Sequence, residues 1–381
     1  MRRRMDELGG TRRVDVSSAD GQSRPRISVV MPVRDLAPYV AASVESILSQ
    51  TLADFEFVIR DDGSTDGTRE ILRSFAARDR RIRLFESDTS LGPAGSSNWV
   101  VEHARGDLIA RMDGDDVSHP DRLRRQAAAL DAYPDACLVG SLWEGIDEKG
   151  RLVRPRDRWR LAHPSAFSPF PHGSIMVRRE AFARAGGYRV AADFWEDLDL
   201  YRRLSALGRL LVLPAALYRH RSSVLSTRIA SPADKVEASV DRMYRHVRGD
   251  DSARRASEKI LPQVFLSLGS TRLWAGHSPA VFRRLLRRGA LGWNLESLGV
   301  LGWAAWGAVS PRSLRFVLKT MVAARDRAAA RRFPDDAVYE WICRPGAPPS
   351  LRLAPDAAAG AVGSPPVSPR PVAAPEVRRQ A

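Results

Sequence analysis

Arg26-Ile-Ser-Val-Val-Met31, followed by Pro32-Val33-Arg34-Asp35, opens the stretch that decides the fold. Its short apolar, β-branched run reads as a strand. Residues 39–50 then place Val40, Val44, Ile47 and Leu48 on one helical face. The alternation continues with a strand expected over 55–60, a helix over 66–78, a strand over 82–86, a helix over 94–104, a strand over 108–112 and a helix over 121–133. Such spacing implies βαβ crossovers, hence an α/β unit with a mainly parallel sheet between helices. Ligands of such a sheet bind at the carboxyl ends of its strands.

Composition bounds the remainder. The chain has 381 residues, 44% of them hydrophobic, and a formal charge of +15. Wholesale disorder and a fibrous chain are thereby excluded, and at about 100–200 residues per domain the length suggests two structural units. No period of about 20–50 residues repeats, which disfavours a solenoid or propeller. Cys137 and Cys343 lie far apart without a His or Cys at metal-ligand spacing, so neither a disulfide scaffold nor a zinc finger is expected. Residues 1–25 read as a flexible polar leader. No apolar run follows its basic start, so a secretory signal is not expected and a cytoplasmic location is.

Two strand ends carry acid. The second ends in Arg60-Asp61-Asp62-Gly63-Ser64-Thr65-Asp66-Gly67, where the glycines permit a tight turn and Ser64 or Asp66 can cap the next helix. One Asp or Ser suffices for a cap. The Asp61-Asp62 pair is therefore surplus acid suited to hydrogen bonding a base or ribose, with a purely structural turn as the alternative. The fourth strand ends in Asp113-Gly114-Asp115-Asp116. Three carboxylates within four residues repel one another unless a cation sits among them. Mg²⁺ or Mn²⁺, held by one or two carboxylates and completed by phosphate oxygens and water, suits such ligands. The alternative is a solvated acidic loop capping the helix at Pro120. Neither a P-loop nor a Gly-x-Gly-x-x-Gly after a strand occurs, which disfavours an NTPase of that type and a dinucleotide dehydrogenase.

With these residues in view, the chain resembles the family 2 glycosyltransferases, inverting enzymes of the GT-A fold. The motifs that carry the resemblance are Pro32-Val33-Arg34-Asp35, Asp61-Asp62-Gly63-Ser64, Asn98, Asp113-Gly114-Asp115-Asp116, Gly186-Gly187-Tyr188 and Trp195-Glu196-Asp197, in that order, within residues 26–228. The resemblance implies a GT-A nucleotide-sugar-binding domain over 26–230. It also implies a nucleotide pocket from Pro32, Val33, Arg34, Asp35, Asp61, Asp62 and Asn98, with Asp113 facing ribose or metal and Asp115 the direct metal ligand. The implied cofactor is Mn²⁺ or Mg²⁺, and the implied donor a nucleotide-diphosphate sugar, with a UDP-sugar favoured. The acceptor is a hydroxyl of a glycan or lipid-linked glycan, as in cell-surface polysaccharide or glycolipid synthesis.

A nucleotide diphosphate leaves readily only if the charge growing on its β-phosphate is neutralised, which the cation at Asp115 would do. An inverting transfer also needs a carboxylate to deprotonate the acceptor. Leu198, Tyr201, Leu204 and Leu207 keep helical spacing, so Glu196 and Asp197 fall in a first helical turn, where the dipole favours acids. By resemblance Asp197 is the base; Glu196 is the second catalytic candidate, with orientation of the acceptor or of Arg202 as its alternative. His172 and Tyr188 are candidates for the acceptor or diphosphate side, and Trp159 and Trp195 for stacking on a sugar face. Two positions depart from the family pattern. Ser97 stands where Arg often precedes the Asn, so Arg111 or Arg122 is expected to replace it. In Tyr218-Arg219-His220-Arg221, which resembles the family's closing loop, the His falls one residue early; His220 could contact phosphate or metal, or Arg219 and Arg221 could clamp the diphosphate.

Between Arg242 and Arg332 stand 18 Arg and Lys against five acids, nearly all of the net charge. Residues 231–344 are expected to be a basic helical region. Its apolar run 298–309, with Trp303 and Trp306, is too short for a span of about 20 residues. Such an element suits an anionic membrane surface on the inner face of the plasma membrane, or else packs as a helical cap. No nucleic-acid motif accompanies it. The Pro/Ala-rich residues 345–381 are expected to be disordered. A non-catalytic nucleotide-sugar-binding regulator of the same fold is the alternative to an enzyme, and the intact Asp115 and Asp197 argue against it.

Overall fold

The structure is a computed structural model that describes residues 11–14, 24–154, 170–192, 196–221, 337–342 and 350–354. Each expected strand and helix up to residue 133 is present: β2 (Ile27–Val33), α1 (Val40–Leu48), β3 (Phe55–Asp62), α2 (Thr68–Ala76), β4 (Ile82–Ser87), α3 (Gly92–His103), β5 (Leu108–Arg111) and α4 (Arg122–Ala132). A two-residue strand β1 (Arg12–Arg13) precedes them. Beyond them lie β6 (Val117–Ser118), β7 (Ala136–Ile146), β8 (Leu152–Arg154), a 3₁₀ turn (His172–Ser174), β9 (Met176–Arg178), α5 (Arg179–Arg184), α6 (Glu196–Leu204), β10 (Arg209–Arg221), β11 (Tyr339–Ile342) and β12 (Ser350–Leu353).

All these strands join one sheet in the order β1-β4-β3-β2-β5-β9-β7-β10-β11-β12, with β6 on β10 and β8 on β7. β4, β3, β2 and β5 are mutually parallel; β9 runs antiparallel between β5 and β7. Alternation explains how the sheet is covered. Ile27, Val29, Met31 and Val33 of β2 pack in one cluster with Val40, Val44 and Ile47 of α1, Leu72 and Phe75 of α2 and Leu123 and Leu130 of α4. Val30 and Val58 face the other cluster, with Trp99 and Val100 of α3, Phe182 of α5 and Leu200, Tyr201 and Leu204 of α6. Helices thus cover both faces. The chain leaves β2 toward β3 and β4 and then returns to β5 on the other side. That reversal opens a crevice between the carboxyl ends of β2 and β5, where open α/β sheets bind ligands.

Three expectations change. The leader 1–25 contains β1, paired with Glu86 and Phe85 at the β4 edge and fixed by the Arg12–Glu86 ion pair at 3.5 Å. The helical region 231–344 includes β11, and the tail 345–381 includes β12. In Tyr339-Glu340-Trp341, Tyr339 and Trp341 are buried in the second cluster, while Glu340 on the opposite face pairs with Arg209 and Arg352 at 3.1 and 3.0 Å. Four residues of strand are easily outvoted by the helical and Pro/Ala composition around them. The rest of the basic region, with residues 298–309, lies outside the described residues, as do Trp159 and Trp195. Among the described residues no helix is long and apolar enough to cross a membrane.

Candidate active site

After β5 the segment Met112–Asp116 crosses the carboxyl end of β2, and its fit depends on glycine. A Cβ on Gly114 would lie 2.6 Å from Val33 Cγ1 and 2.9 Å from Leu36 Cδ1. The Ser43 hydroxyl of α1 holds the segment from below, 2.8 Å from the Gly114 carbonyl and 2.6 Å from that of Asp116. From β10, the Arg221 backbone N–H donates to Asp116 at 2.7 Å, and its guanidinium donates to the carbonyls of Asp115, Asp147 and Glu148. Arg221 is therefore engaged with the loop's backbone. Arg219 pairs with Glu144 at 3.1 Å. His220 is exposed beside them, and its charge acts on Asp115. All three belong to a strand, not the closing loop that the family pattern suggested, because Tyr218 and Arg219 pair with Ser118 and Val117 of β6.

The three carboxylates are treated differently. Asp113 pairs with Arg111 at 3.1 Å. Asp116, 1% exposed, takes hydrogen bonds from the Arg221 N–H and the Tyr218 hydroxyl, yet burial and the nearby Asp113 hold its pKa well above the usual range. Burial, then Asp116 and Asp113, push Asp115 up to about 7, with His220 opposing. Burial and mutual repulsion both disfavour the charged form of these carboxylates. Among the described residues no three or more His, Cys, Asp or Glu side chains gather as metal ligands. Any ion here would take one or two of these carboxylates and complete its shell from the substrate and water.

At the end of β3 the Asp pair is consumed inside the protein. Asp61, fully buried, accepts from the Ser64 N–H and from Arg69 at 2.9 Å. Asp62 is bonded to Arg60, to the Ser90 hydroxyl at 2.6 Å and to the Leu91 N–H at 2.9 Å. Both shape the crevice wall. Asp35 sits at the end of β2 with φ 51° and accepts from the Thr65 N–H at 2.8 Å, so the Pro32–Asp35 turn and the β3 turn are tied together. Arg34 is exposed beside it; Pro32 is half-buried and Val33 buried.

Helix α3 supplies a brace that the sequence only hinted at. Arg111 donates to the Ser97 hydroxyl at 2.7 Å, at the position where the family pattern has an arginine. Arg122 is fully buried and donates to the carbonyls of Arg111 and Gly173, both at 2.9 Å. The adjacent Asn98 grips both backbone groups of Tyr188, at 2.7 and 2.8 Å, and so acts on Tyr188. The Tyr188 hydroxyl meets His172 Nε2 at 2.8 Å, and the Arg111 guanidinium lies 5.8 Å from the Tyr188 ring centre. Burial and Arg111 keep His172 neutral, well below its usual pKa. Glu196, at the start of α6, is 9% exposed and close enough to Arg111 to strengthen its charge. Asp197 accepts the Leu198 N–H at 2.8 Å. The β5 end and the α6 start therefore face one another across Arg111 and Tyr188.

Residues 28–190 match the family model described as Glycosyl transferase family 2. EpsE of Bacillus subtilis (strain 168), a glycosyltransferase by name, is 38% identical over 209 residues, covering 52% of this chain and 74% of EpsE. The chain belongs to glycosyltransferase family 2. As a member of that family it is a transferase. It is also similar to the chondroitin synthase of Escherichia coli, 29% identical over 198 residues (51% of this chain), and to the O-antigen biosynthesis protein RfbC of Myxococcus xanthus, 30% over 242 residues (61%). It spans 28% and 19% of those two longer proteins. Among solved structures, S. aureus TarS 1–349 in complex with UDP shares the fold at a TM-score of 0.51 and 18% identity, covering 80% of this chain and 89% of that one. The mannosyltransferase PcManGT of Pyrobaculum calidifontis, in complex with GDP-Man and Mn²⁺, does so at 0.51 and 22%, covering 82% and 87%. The GT-A fold expected from the motifs is the fold observed.

The site of this family 2 glycosyltransferase includes residues that the motifs passed over. Tyr218 was quoted only as part of a loop; its hydroxyl accepts the Asp113 N–H at 3.3 Å and donates to Asp116. Ser43 reads as an ordinary helix residue, and no spacing rule singles it out.

Proposed function

We propose that the chain transfers a sugar from a nucleotide-diphosphate sugar to a hydroxyl of a glycan or lipid-linked glycan, with inversion, and that it depends on a divalent metal. The observation that carries this reading is the Asp113-Asp115-Asp116 cluster in the β2/β5 crevice, where burial and the two neighbouring carboxylates push Asp115 up to about 7. Asp115 and Asp113 would hold Mn²⁺ or Mg²⁺, and their hard oxygen donors fit it. When bound, the ion neutralises charge on the departing diphosphate.

The chain's own residues do the rest. Arg111, fixed by Ser97 and Asp113, keeps a permanent positive charge beside the crevice. Pro32 to Asp35 and the turn after β3 form the wall for the nucleotide. Asp197 takes the acceptor's proton as the sugar C1 bond to the acceptor oxygen forms and the bond to the diphosphate oxygen breaks. Its place in the first turn of α6 is where the helix dipole favours an acid. Tyr188 and His172 line the acceptor side. Names among the relatives, an O-antigen biosynthesis protein and a chondroitin synthase, support a polysaccharide product, and the UDP and GDP-Man complexes support a nucleotide-sugar donor. The basic half supports action at the inner face of an anionic membrane.

The test is nucleotide release from UDP-glucose, UDP-GlcNAc and GDP-mannose with and without Mn²⁺. Full activity in EDTA overturns metal dependence. In Asp197→Asn, release should be lost while donor affinity stays within a few-fold; retention of release by Asp197→Asn together with its loss in Glu196→Gln exchanges the two roles.

A further inference from the structure

One polar group near the base is unexplained. Tyr201 lies on α6 one turn beyond Asp197; it is fully buried, and among the described residues its hydroxyl has no hydrogen-bond partner. A buried hydroxyl left unpaired is costly, and phenylalanine would fill the same space without that cost. The ring is held by three aromatic neighbours: Phe170 at 5.2 Å, His172 at 6.5 Å and Trp341 at 6.4 Å between centres, all edge-on. It cannot swing out to water. On a helix, residues four apart share a face, and an aromatic side chain leans back toward the preceding turn, which here carries Asp197. The Asp197 carboxylate is, after burial, the strongest influence keeping the Tyr201 proton in place. A carboxylate also has acceptor room beyond the Leu198 N–H that Asp197 already takes.

We propose that Tyr201 is a positioning residue for Asp197: its hydroxyl is a donor held in reserve that takes one carboxylate oxygen when an acceptor hydroxyl arrives and leaves the other aimed at that hydroxyl. The proposal rests on Asp197 being the base. It also gives β11 a part in the site, because Trp341, contributed from far along the chain, is one of the three rings that fix Tyr201.

The experiment is Tyr201→Phe in the 381-residue chain beside Asp197→Asn. The readouts are thermal unfolding, donor affinity, and nucleotide release from whichever of UDP-glucose, UDP-GlcNAc and GDP-mannose the wild type hydrolyses fastest. Tyr201→Phe should unfold at or above the wild-type temperature, bind donor within two-fold of wild type, and turn over about ten-fold more slowly or worse. A purely structural hydroxyl would move the unfolding temperature and spare turnover. Unchanged turnover in Tyr201→Phe with loss in Asp197→Asn overturns this proposal alone. Retained turnover in Asp197→Asn removes the base assignment, and this proposal with it. An unfolding temperature several degrees below wild type shows that the hydroxyl has a partner in the resting protein, and overturns the proposal too.

Discussion

Gly173 shows how little room the crevice floor allows. A methyl group there would lie 1.9 Å from the Tyr218 hydroxyl oxygen and 2.8 Å from Asp113 Oδ2, and the tyrosine is locked in the core. Gly173→Ala should destabilise by about 1–3 kcal/mol, as overpacking does. It should also weaken donor binding, because Tyr218 and Asp113 move together; a thermal scan with a nucleotide titration checks both, and an unchanged pair of values refutes the coupling. Asp115→Asn removes the charge of a carboxylate that burial and its acidic neighbours disfavour, while keeping its size. Turnover should fall by about 10²-fold or more, and the unfolding temperature should not fall, since the substitution relieves repulsion. Wild-type turnover in this variant would place the cation elsewhere. Asp61 and Asp62 mark the limit of reading single residues from sequence. Their position at a strand end was legible, but that Arg69, Arg60 and Ser90 engage their carboxylates depends on their own strand and on side chains from two other segments.

At the scale of elements, the half of the sheet built from consecutive βαβ units was legible throughout, because each unit announces itself by a local change of period. The other half was not. β10 pairs in parallel with β7, and β11 returns to it from more than a hundred residues later, so no local pattern records the partnership. What fixes β11 is Glu340, half of a charge cluster with Arg209 and Arg352 whose side chains are 16% and 54% exposed against 10% for Glu340. Removing the acid leaves Arg209 with only its longer ion pair to Asp135, at 3.5 Å, and its place over the Tyr133 ring. Glu340→Ala should therefore cost about 2 kcal/mol, in the lower part of the range for a hydrogen bond to a charged group, and the loss should appear as a lower unfolding temperature. Glu340→Ala with wild-type stability would mean that Tyr339 and Trp341 alone hold the strand. The same logic separates α3 from the other helices: its apolar face was legible, while the polar Ser97-Asn98 step that grips Arg111 and Tyr188 gives no periodic signal.

Over the whole molecule, charge is divided as unevenly as structure. The catalytic crevice collects acid, whereas the 18 basic residues against five acids between Arg242 and Arg332 hold nearly all of a net charge of +15. On the proposed reading, a field of that sign would draw the chain to an anionic surface, at about 1 kcal/mol for each well-placed charge. Apolar insertion by residues 298–309 with Trp303 and Trp306 would add a contribution that salt does not screen. The two contributions can be told apart. Sedimentation with liposomes should rise with the fraction of anionic lipid, fall as salt is raised, and be lost when Arg283, Arg284, Arg287 and Arg288 are changed to Glu. Those four residues are distant in sequence from every residue of the crevice, so the variant should still release nucleotide from donor in solution. Equal partition onto neutral and anionic vesicles would leave only the apolar contribution. Partition onto neither would remove the membrane from the proposal, and a soluble glycan would then be the better acceptor.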